Sequence, residues 1–234
     1  MDLVEMDRVL VFAPHPDDET IGCGGSIVKH LELEREVSVA FPGNTTDITC
    51  RHMTHEEYLK LREGEIPRAL KVLGIDPDHT IMGSENNPWH YSEERLRLWA
   101  LAVIRKIEPQ VVYLPHPNDD HVDHKVVSRA VLDAIGMAPG PWFLEYGSES
   151  NCPPVQTVLG YEVWTPIQSP TYYETLTVQQ TDTAMRALCE YTSQEIHKYE
   201  QACRARYALR ASMHEGPTGK FAEAFTVLKA TNLF

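Results

Sequence analysis

The sequence predicts an α/β fold with a mostly parallel sheet flanked by helices. Three observations predict it. Apolar, β-branched runs of strand length alternate four times with stretches of helical periodicity in the first 135 residues. Two of those runs, ending at Phe12 and Leu114, are followed within two residues by a proline and then by a dense set of His and Asp residues. A chain of 234 residues, 42% hydrophobic and 24% charged, is enough for one sizeable α/β domain with a large core, and one domain is expected rather than two.

Residues 9–12 form the first apolar run, and residues 26–33 read as a helix after Gly24-Gly25. Residues 36–41 alternate as a second strand, followed by a polar loop to Cys50. A helix over 54–73 is marked by Thr54 and Glu57 as a capping box, with a bend at Gly64 and Pro67 and a stop at Gly74. A short strand at 80–82, a polar loop over 84–92, a helix at 93–107, a strand at 110–114 and a helix at 122–135 complete the alternation, which implies right-handed crossovers. The last third changes character. Residues 142–146, 157–164 and 172–178 read as shorter strands, 179–209 as largely helical, and 221–228 as apolar with Glu223 embedded. The expectation is one Rossmann-like domain over 1–234, with a parallel core in 1–140 and additional short strands and C-terminal helices in the less regular 141–234.

A formal net charge of −13 repels phosphate backbones and anionic lipid surfaces, so neither nucleic acid nor a membrane is an expected partner. The first eight residues are acidic and lack the pattern of a signal peptide, and no apolar run reaches membrane-spanning length. Five scattered cysteines without a Cys-x-x-Cys pair fit free thiols in a reducing compartment, and the expected location is the cytoplasm. The oligomeric state is open, a homo-oligomer included.

The chemistry concentrates at the two strand ends. Pro14-His15-Pro16-Asp17-Asp18-Glu19 places three like charges side by side, which raise one another's pKa unless a cation compensates them. His15 and Asp18 are ligand types that Zn²⁺ takes, and Asp17 is then left to move protons. The simpler alternative is an acidic turn capping the helix that follows. Pro115-His116-Pro117-Asn118-Asp119-Asp120-His121-Val122-Asp123-His124 repeats the design. His121 and His124 are three apart at a helix start, so one can bind a metal while the other meets a substrate. The same residue types at two strand ends of one parallel sheet favour a metal site over two unrelated polar turns.

These motifs, with Arg62-x-x-Glu65 and Ala222-Glu223-Ala224-Phe225, resemble the LmbE-like (PIG-L) N-acetylglucosamine deacetylases. The resemblance implies a metal-dependent hydrolase that releases acetate and a free amine from an N-acetylglucosamine compound. It implies one Zn²⁺ per chain, with Fe²⁺ or another divalent ion as the alternative, held by His15, Asp18 and His124. It implies Asp17 as general base, His121 as the group that stabilises the oxyanion or donates a proton, Asp123 as the residue that orients a histidine, and Arg62 as a substrate contact near the acetyl group. Asn44, Asp47, Asn86 and Asn87, with Trp89 and His90, lie in loops at the same sheet edge and suit sugar hydroxyls and a ring face. The rival readings are a two-metal phosphoesterase built on Asp119 to His124, which needs more ligands and tolerates the acidic balance poorly, and a non-catalytic binding protein on the same fold. A dinucleotide turn at Gly22 to Gly25 lacks the Gly-x-Gly-x-x-Gly spacing, and no Gly-x-Ser-x-Gly occurs.

Overall fold

The structure is a computed structural model that describes residues 8–43, 54–83, 92–147, 152–194, 196–214 and 219–230. Its elements are β1 (Arg8–Phe12), α1 (Asp18–Glu32), β2 (Glu36–Phe41), α2 (His55–Leu73), β3 (Thr80–Met82), α3 (Glu93–Ile107), β4 (Val111–Pro115), α4 (Val122–Met137), β5 (Thr157–Tyr161), β6 (Tyr172–Leu176), α5 (Val178–Leu188), α6 (Ile196–Met213) and β7 (Phe221–Ala230). They form a seven-stranded sheet in the order β3-β2-β1-β4-β5-β7-β6. The first five strands in that order are parallel, and β7 runs antiparallel to both β5 and β6.

Strand order explains where chemistry can occur. The chain builds outward from β1 through β2 to β3, then returns to lay β4 on the other side of β1. Connections therefore leave the carboxyl ends of β1 and β4 in opposite directions, and a crevice opens between them. Both proline-terminated strand ends empty into it. The central strands are apolar on both faces because both faces are covered. Val9, Val11, Val39 and Tyr113 pack with α1, α2 and α5, whereas Leu10, Phe12, Val112 and Leu114 pack with α3 and α4.

Local signals hold where they are strong. The Thr54–Glu57 capping box is formed, and Gly74 ends α2 at φ 96°, a backbone state that glycine adopts without strain. The helix runs as one element through Gly64 and Pro67, while the break falls in α1, where Cys23 leaves helical geometry at φ −150° and ψ 26°. That helix also begins at Asp18, eight residues before the predicted start, so the carboxylates sit in its first turn rather than ahead of it.

Three expectations for the last third are corrected. Residues 142–146 are not a strand: Arg105 donates to the carbonyls of Ala138, Gly140, Trp142 and Phe143 and gathers the segment into turns. The helical stretch divides into α5 and α6, and Val178 opens α5 under a Thr177–Gln180 capping box. The apolar stretch around Glu223 is the ten-residue β7, inserted antiparallel between β5 and β6, which orders the region expected to be least regular.

Gly22 faces the Tyr161 ring so closely that a Cβ there would lie 2.2 Å from Cδ2. Tyr161 cannot yield freely, because its hydroxyl donates to Phe12 O at 2.7 Å. Gly22→Ala is expected to destabilise the protein by about 1–3 kcal/mol, read as a lowered urea midpoint with an unchanged slope.

Candidate metal and catalytic site

The site is assembled from the two strand ends. After β1 the His15 N–H donates to Asp18 Oδ2 at 2.9 Å, folding the Pro14–Asp18 turn so that imidazole and carboxylate face one point. After β4 the His116 Nε2 meets Thr165 O at 2.7 Å, and Asp119 accepts from the backbone N–H groups of His121, Trp164 and Thr165. His121 then caps α4, with Nδ1 accepting the Asp123 N–H at 3.3 Å, and His124 lies one turn further on the same face.

The two halves meet at Asp18. Its Oδ2 is 3.1 Å from His15 Nδ1 and 3.1 Å from His124 Nε2. Ligand atoms around a four-coordinate ion with bonds of about 2.0 Å stand about 3.3 Å apart, so this spacing suits one divalent ion. Both imidazoles are backed by a carboxylate on the ring nitrogen away from Asp18: Asp123 Oδ2 is 2.8 Å from His15 Nε2, and Asp119 Oδ1 is 3.4 Å from His124 Nδ1. Such outer carboxylates fix the tautomer and aim of metal-binding histidines. His124 is fully buried, and neither of its ring nitrogens makes an aligned hydrogen bond. A buried imidazole paired with carboxylates but without an aligned hydrogen bond is one that a divalent ion in the site would complete.

A second triad overlaps the first. His15, His121 and His124 each offer a ligand atom within 4.8 Å of the others. The side chain of His121 is 37% exposed against 7% for His15 and 0% for His124, so it forms the open wall of the site. Because Nδ1 accepts a backbone N–H, the neutral ring carries its proton on Nε2. The shorter distances favour Asp18 over His121 as the third ligand.

Electrostatics follow from burial. Burial alone lowers the pKa of His15, but the hydrogen bonds to Asp123 and Asp18 outweigh it and raise the group to about 9; the Asp18 and Asp119 carboxylates likewise lift His124 to about 10 against burial. Asp18 is pushed up by burial yet held below the ordinary carboxylate range by His124 and His15. Asp17 is raised to about 7, first by burial and then by Asp18 and Glu19, against the pull of Arg62.

Asp17 is also strained. Its φ of 121° is one that residues with a Cβ rarely adopt. It stands at the start of α1, where Asp17 O accepts from Thr20 N at 3.0 Å and Ile21 N at 2.9 Å. Arg62, expected to touch substrate, is 1% exposed below this residue, with Nη1 4.0 Å from Asp17 Oδ2 and Nη2 donating to Pro16 O at 2.6 Å. Asn44, Asp47, Asn86, Asn87, Trp89 and His90 lie outside the described residues.

The break at Cys23 makes the first turn of α1 a separate unit, and the C-terminal third satisfies the groups it frees. Glu223 accepts from Gly25 N and Ser26 N at 2.8 Å each, and Arg206 Nη2 donates to Ile21 O at 2.5 Å. Glu19 and Glu223 are participants to which the residue pattern had attached no role, and Asp119, placed only in the rival two-metal reading, backs His124 instead. Asp119 had a signal, two positions before His121 in a turn; the partners of Glu223 are nearly two hundred residues away and had none.

Two outcomes follow. Ala ordinarily gives a more stable chain than Gly, but at position 17 the order reverses: Asp17→Gly is expected to melt about 2–4 °C above Asp17→Ala, a difference measured by thermal unfolding of the pair. In metal-stripped protein, the stabilisation from the raised histidines is complete below about pH 6.5 and lost as pH climbs through about 9 and about 10. The contribution of Asp17 is lost through about 7, and that of Asp18 is lost on acidification below about pH 4. Thermal melts in chelator should therefore peak near about pH 4, decline above it as the raised Asp17 loses its contribution and more steeply above about pH 6.5 as the histidines lose theirs, whereas the extra stability conferred by a saturating divalent ion should grow with pH as it displaces imidazole protons.

The diacetylchitobiose deacetylase of Thermococcus kodakarensis is 29% identical over 144 residues, which cover 59% of this chain and 53% of that protein. The chain spans about half the length of the curated relatives it matches. Among solved structures, the N,N′-diacetylchitobiose deacetylase of Pyrococcus horikoshii aligns with a TM-score of 0.81 at 21% identity, covering 96% of this chain and 84% of the other. The 4-carboxy-2-hydroxymuconate hydratase of Pseudomonas putida aligns with a TM-score of 0.77 at 19% identity over 98% of this chain and 99% of the other; at such identities the likeness shows the fold. Residues 10–135, which carry both halves of the site, match the family model described as PIG-L: GlcNAc-PI de-N-acetylase, and the chain belongs to that family.

Proposed function

We propose that this protein is a metal-dependent N-deacetylase that hydrolyses the acetamide of an N-acetylglucosamine-containing small molecule or glycoconjugate. The observation that carries the reading is the convergence of His15, Asp18 and His124 beside Asp17 in the crevice between β1 and β4. We assign those three residues as holders of one divalent ion, Zn²⁺ by their nitrogen and oxygen donors, with Fe²⁺ as the alternative. An ion held by three protein groups supplies an open Lewis-acid position and lowers the pKa of water there to about 7.

The residues around it have distinct tasks. Asp17, with a pKa of about 7, is suited to take a proton from the attacking water and return it to the departing amine. His121 offers its Nε2–H to the oxygen of the acetamide as negative charge develops, a contact typically worth about 3–4 kcal/mol. Asp123 orients His15, the nearer imidazole, rather than His121, which is 4.0 Å away. Arg62 reaches the acetyl site through Asp17, and we assign the sugar hydroxyls to the loops that carry Asn44, Asp47, Asn86 and Asn87. The free thiols of Cys23, Cys152, Cys189 and Cys203 suit a cytoplasmic location, and no described helix is long and apolar enough to cross a membrane.

The test is acetate release from N,N′-diacetylchitobiose and other N-acetylglucosaminyl compounds. Chelation should abolish it and Zn²⁺ restore it. Asp17→Asn should keep one ion per chain and lower kcat about 10²–10⁴-fold; His121→Ala should keep the ion and lower kcat about 10²–10³-fold. Loss of the ion in His121→Ala with its retention in Asp18→Asn would move the ligand set to the three histidines. Wild-type turnover by Asp17→Asn would remove the assigned base.

A further inference from the structure

Glu19 and Tyr191 ligate nothing in the assigned site, yet both are fully buried against it. Glu19 Oε2 accepts the Asp17 N–H at 3.0 Å, and its Oε1 accepts from Tyr191 Oη at 2.6 Å and Thr20 Oγ1 at 2.5 Å. On the other side of the same peptide, Arg62 holds Pro16 O, and Arg62 is in turn 3.6 Å from Glu65. Glu65 accepts from Thr192 Oγ1 at 2.8 Å, Ser193 N at 2.6 Å and Ser193 Oγ at 2.7 Å. Three consecutive residues between α5 and α6 thus grip two buried carboxylates, and those carboxylates bracket the strained residue.

Geometry gives this bracket a purpose. A residue with a Cβ at φ 121° relaxes to negative φ unless its neighbours prevent it, and the relaxation swings the side chain to a different direction. Glu19 and Arg62 hold the two edges of the Pro16–Asp17 peptide while Thr20 N and Ile21 N hold Asp17 O, so the planes on either side of Asp17 Cα are both pinned, and the Tyr191 ring beneath the Arg62 guanidinium, 5.7 Å from its centroid, ties the two edges together. We infer that the Tyr191–Ser193 turn is a positioning element, which acts through Glu19 and Glu65 to aim the Asp17 carboxylate into the crevice. The inference rests on the reading of Asp17 as the base, and it adds a distant segment of chain to the catalytic requirement.

Tyr191→Phe tests it, because the ring stays and only the hydroxyl donor to Glu19 is lost. For N,N′-diacetylchitobiose, kcat is expected to fall about 10–100-fold, the range seen when outer partners of catalytic groups are removed. KM should stay within about twofold and Zn²⁺ binding to metal-stripped protein should be unchanged, because neither depends on the direction of Asp17. Glu19→Gln keeps an acceptor for the Asp17 N–H and should fall between the wild type and Tyr191→Phe. A crystal structure of Tyr191→Phe supplies a readout independent of turnover: Asp17 leaving positive φ supports the inference, and Asp17 unchanged at positive φ overturns it. Asp17→Asn separates the two claims. An inactive Asp17→Asn beside a fully active Tyr191→Phe sinks the positioning role and leaves the base intact, whereas an active Asp17→Asn sinks the base itself. Equal losses of kcat, ion binding and melting temperature in Tyr191→Phe would mark a general structural role and overturn the inference.

Discussion

The structure turns on one carboxylate, Asp18, buried between two imidazoles that come from distant parts of the chain. Charges taken out of water cost several kcal/mol each unless they meet opposite charges at close range with their remaining polar atoms satisfied. Here three acidic side chains, Asp18, Asp119 and Asp123, surround two histidines, and all five are nearly inaccessible to solvent. This cluster can be assembled only if the carboxyl ends of β1 and β4 lie side by side, which is what the return of the chain across β1 accomplishes. The cluster and the strand order are therefore one constraint seen at two scales.

The C-terminal third is as much a part of the site as the two motifs are. A helix broken at Cys23 leaves backbone donors and acceptors without partners inside the protein, a situation folded chains avoid. Glu223 on β7 takes the donors, Arg206 on α6 takes an acceptor, and the turn after α5 takes Glu19 and Glu65. Antiparallel β7, placed next to β5, brings Glu223 within reach of α1. The first turn of α1 can then adopt a geometry suited to chemistry because the cost of that geometry is offset by bonds made elsewhere.

The same chain trace supports other reactions, as the likeness to a hydratase shows. What the proposed amide hydrolysis rests on is a small set of side chains: an outer carboxylate on each of two imidazoles, a third imidazole with a free Nε2–H on the open side, and a second carboxyl of raised pKa held apart from the first. Asp17 and Asp18 are neighbours in sequence, yet their environments drive their proton affinities in opposite directions. Burial raises both, but Asp18 pairs with two basic rings that overturn it, whereas for Asp17 the like charges of Asp18 and Glu19 add to burial and Arg62 and His15 do not overcome it.

Much of this was legible in the residues. The alternation of apolar runs with helical periods, the Thr54–Glu57 cap, the stop at Gly74 and the clustering of His15, Asp18 and His124 all depend on local spacing or on the rule that parallel strand ends converge. Asp123 was expected beside a histidine, but which one was not legible: it lies 2.8 Å from His15 and 4.0 Å from His121, and nothing local distinguishes the two. The sequence by itself determined the strand and helix alternation of the first 135 residues and the gathering of His and Asp residues at two strand ends, since both follow from short-range patterns of polarity. Only the tertiary structure decided that α1 breaks at Cys23, that Arg62 lies under Asp17, and that Tyr191, Glu223 and Arg206 hold the first half of α1. Those are contacts between segments more than forty and up to nearly two hundred residues apart, and their partners are set by how the last strands and helices pack.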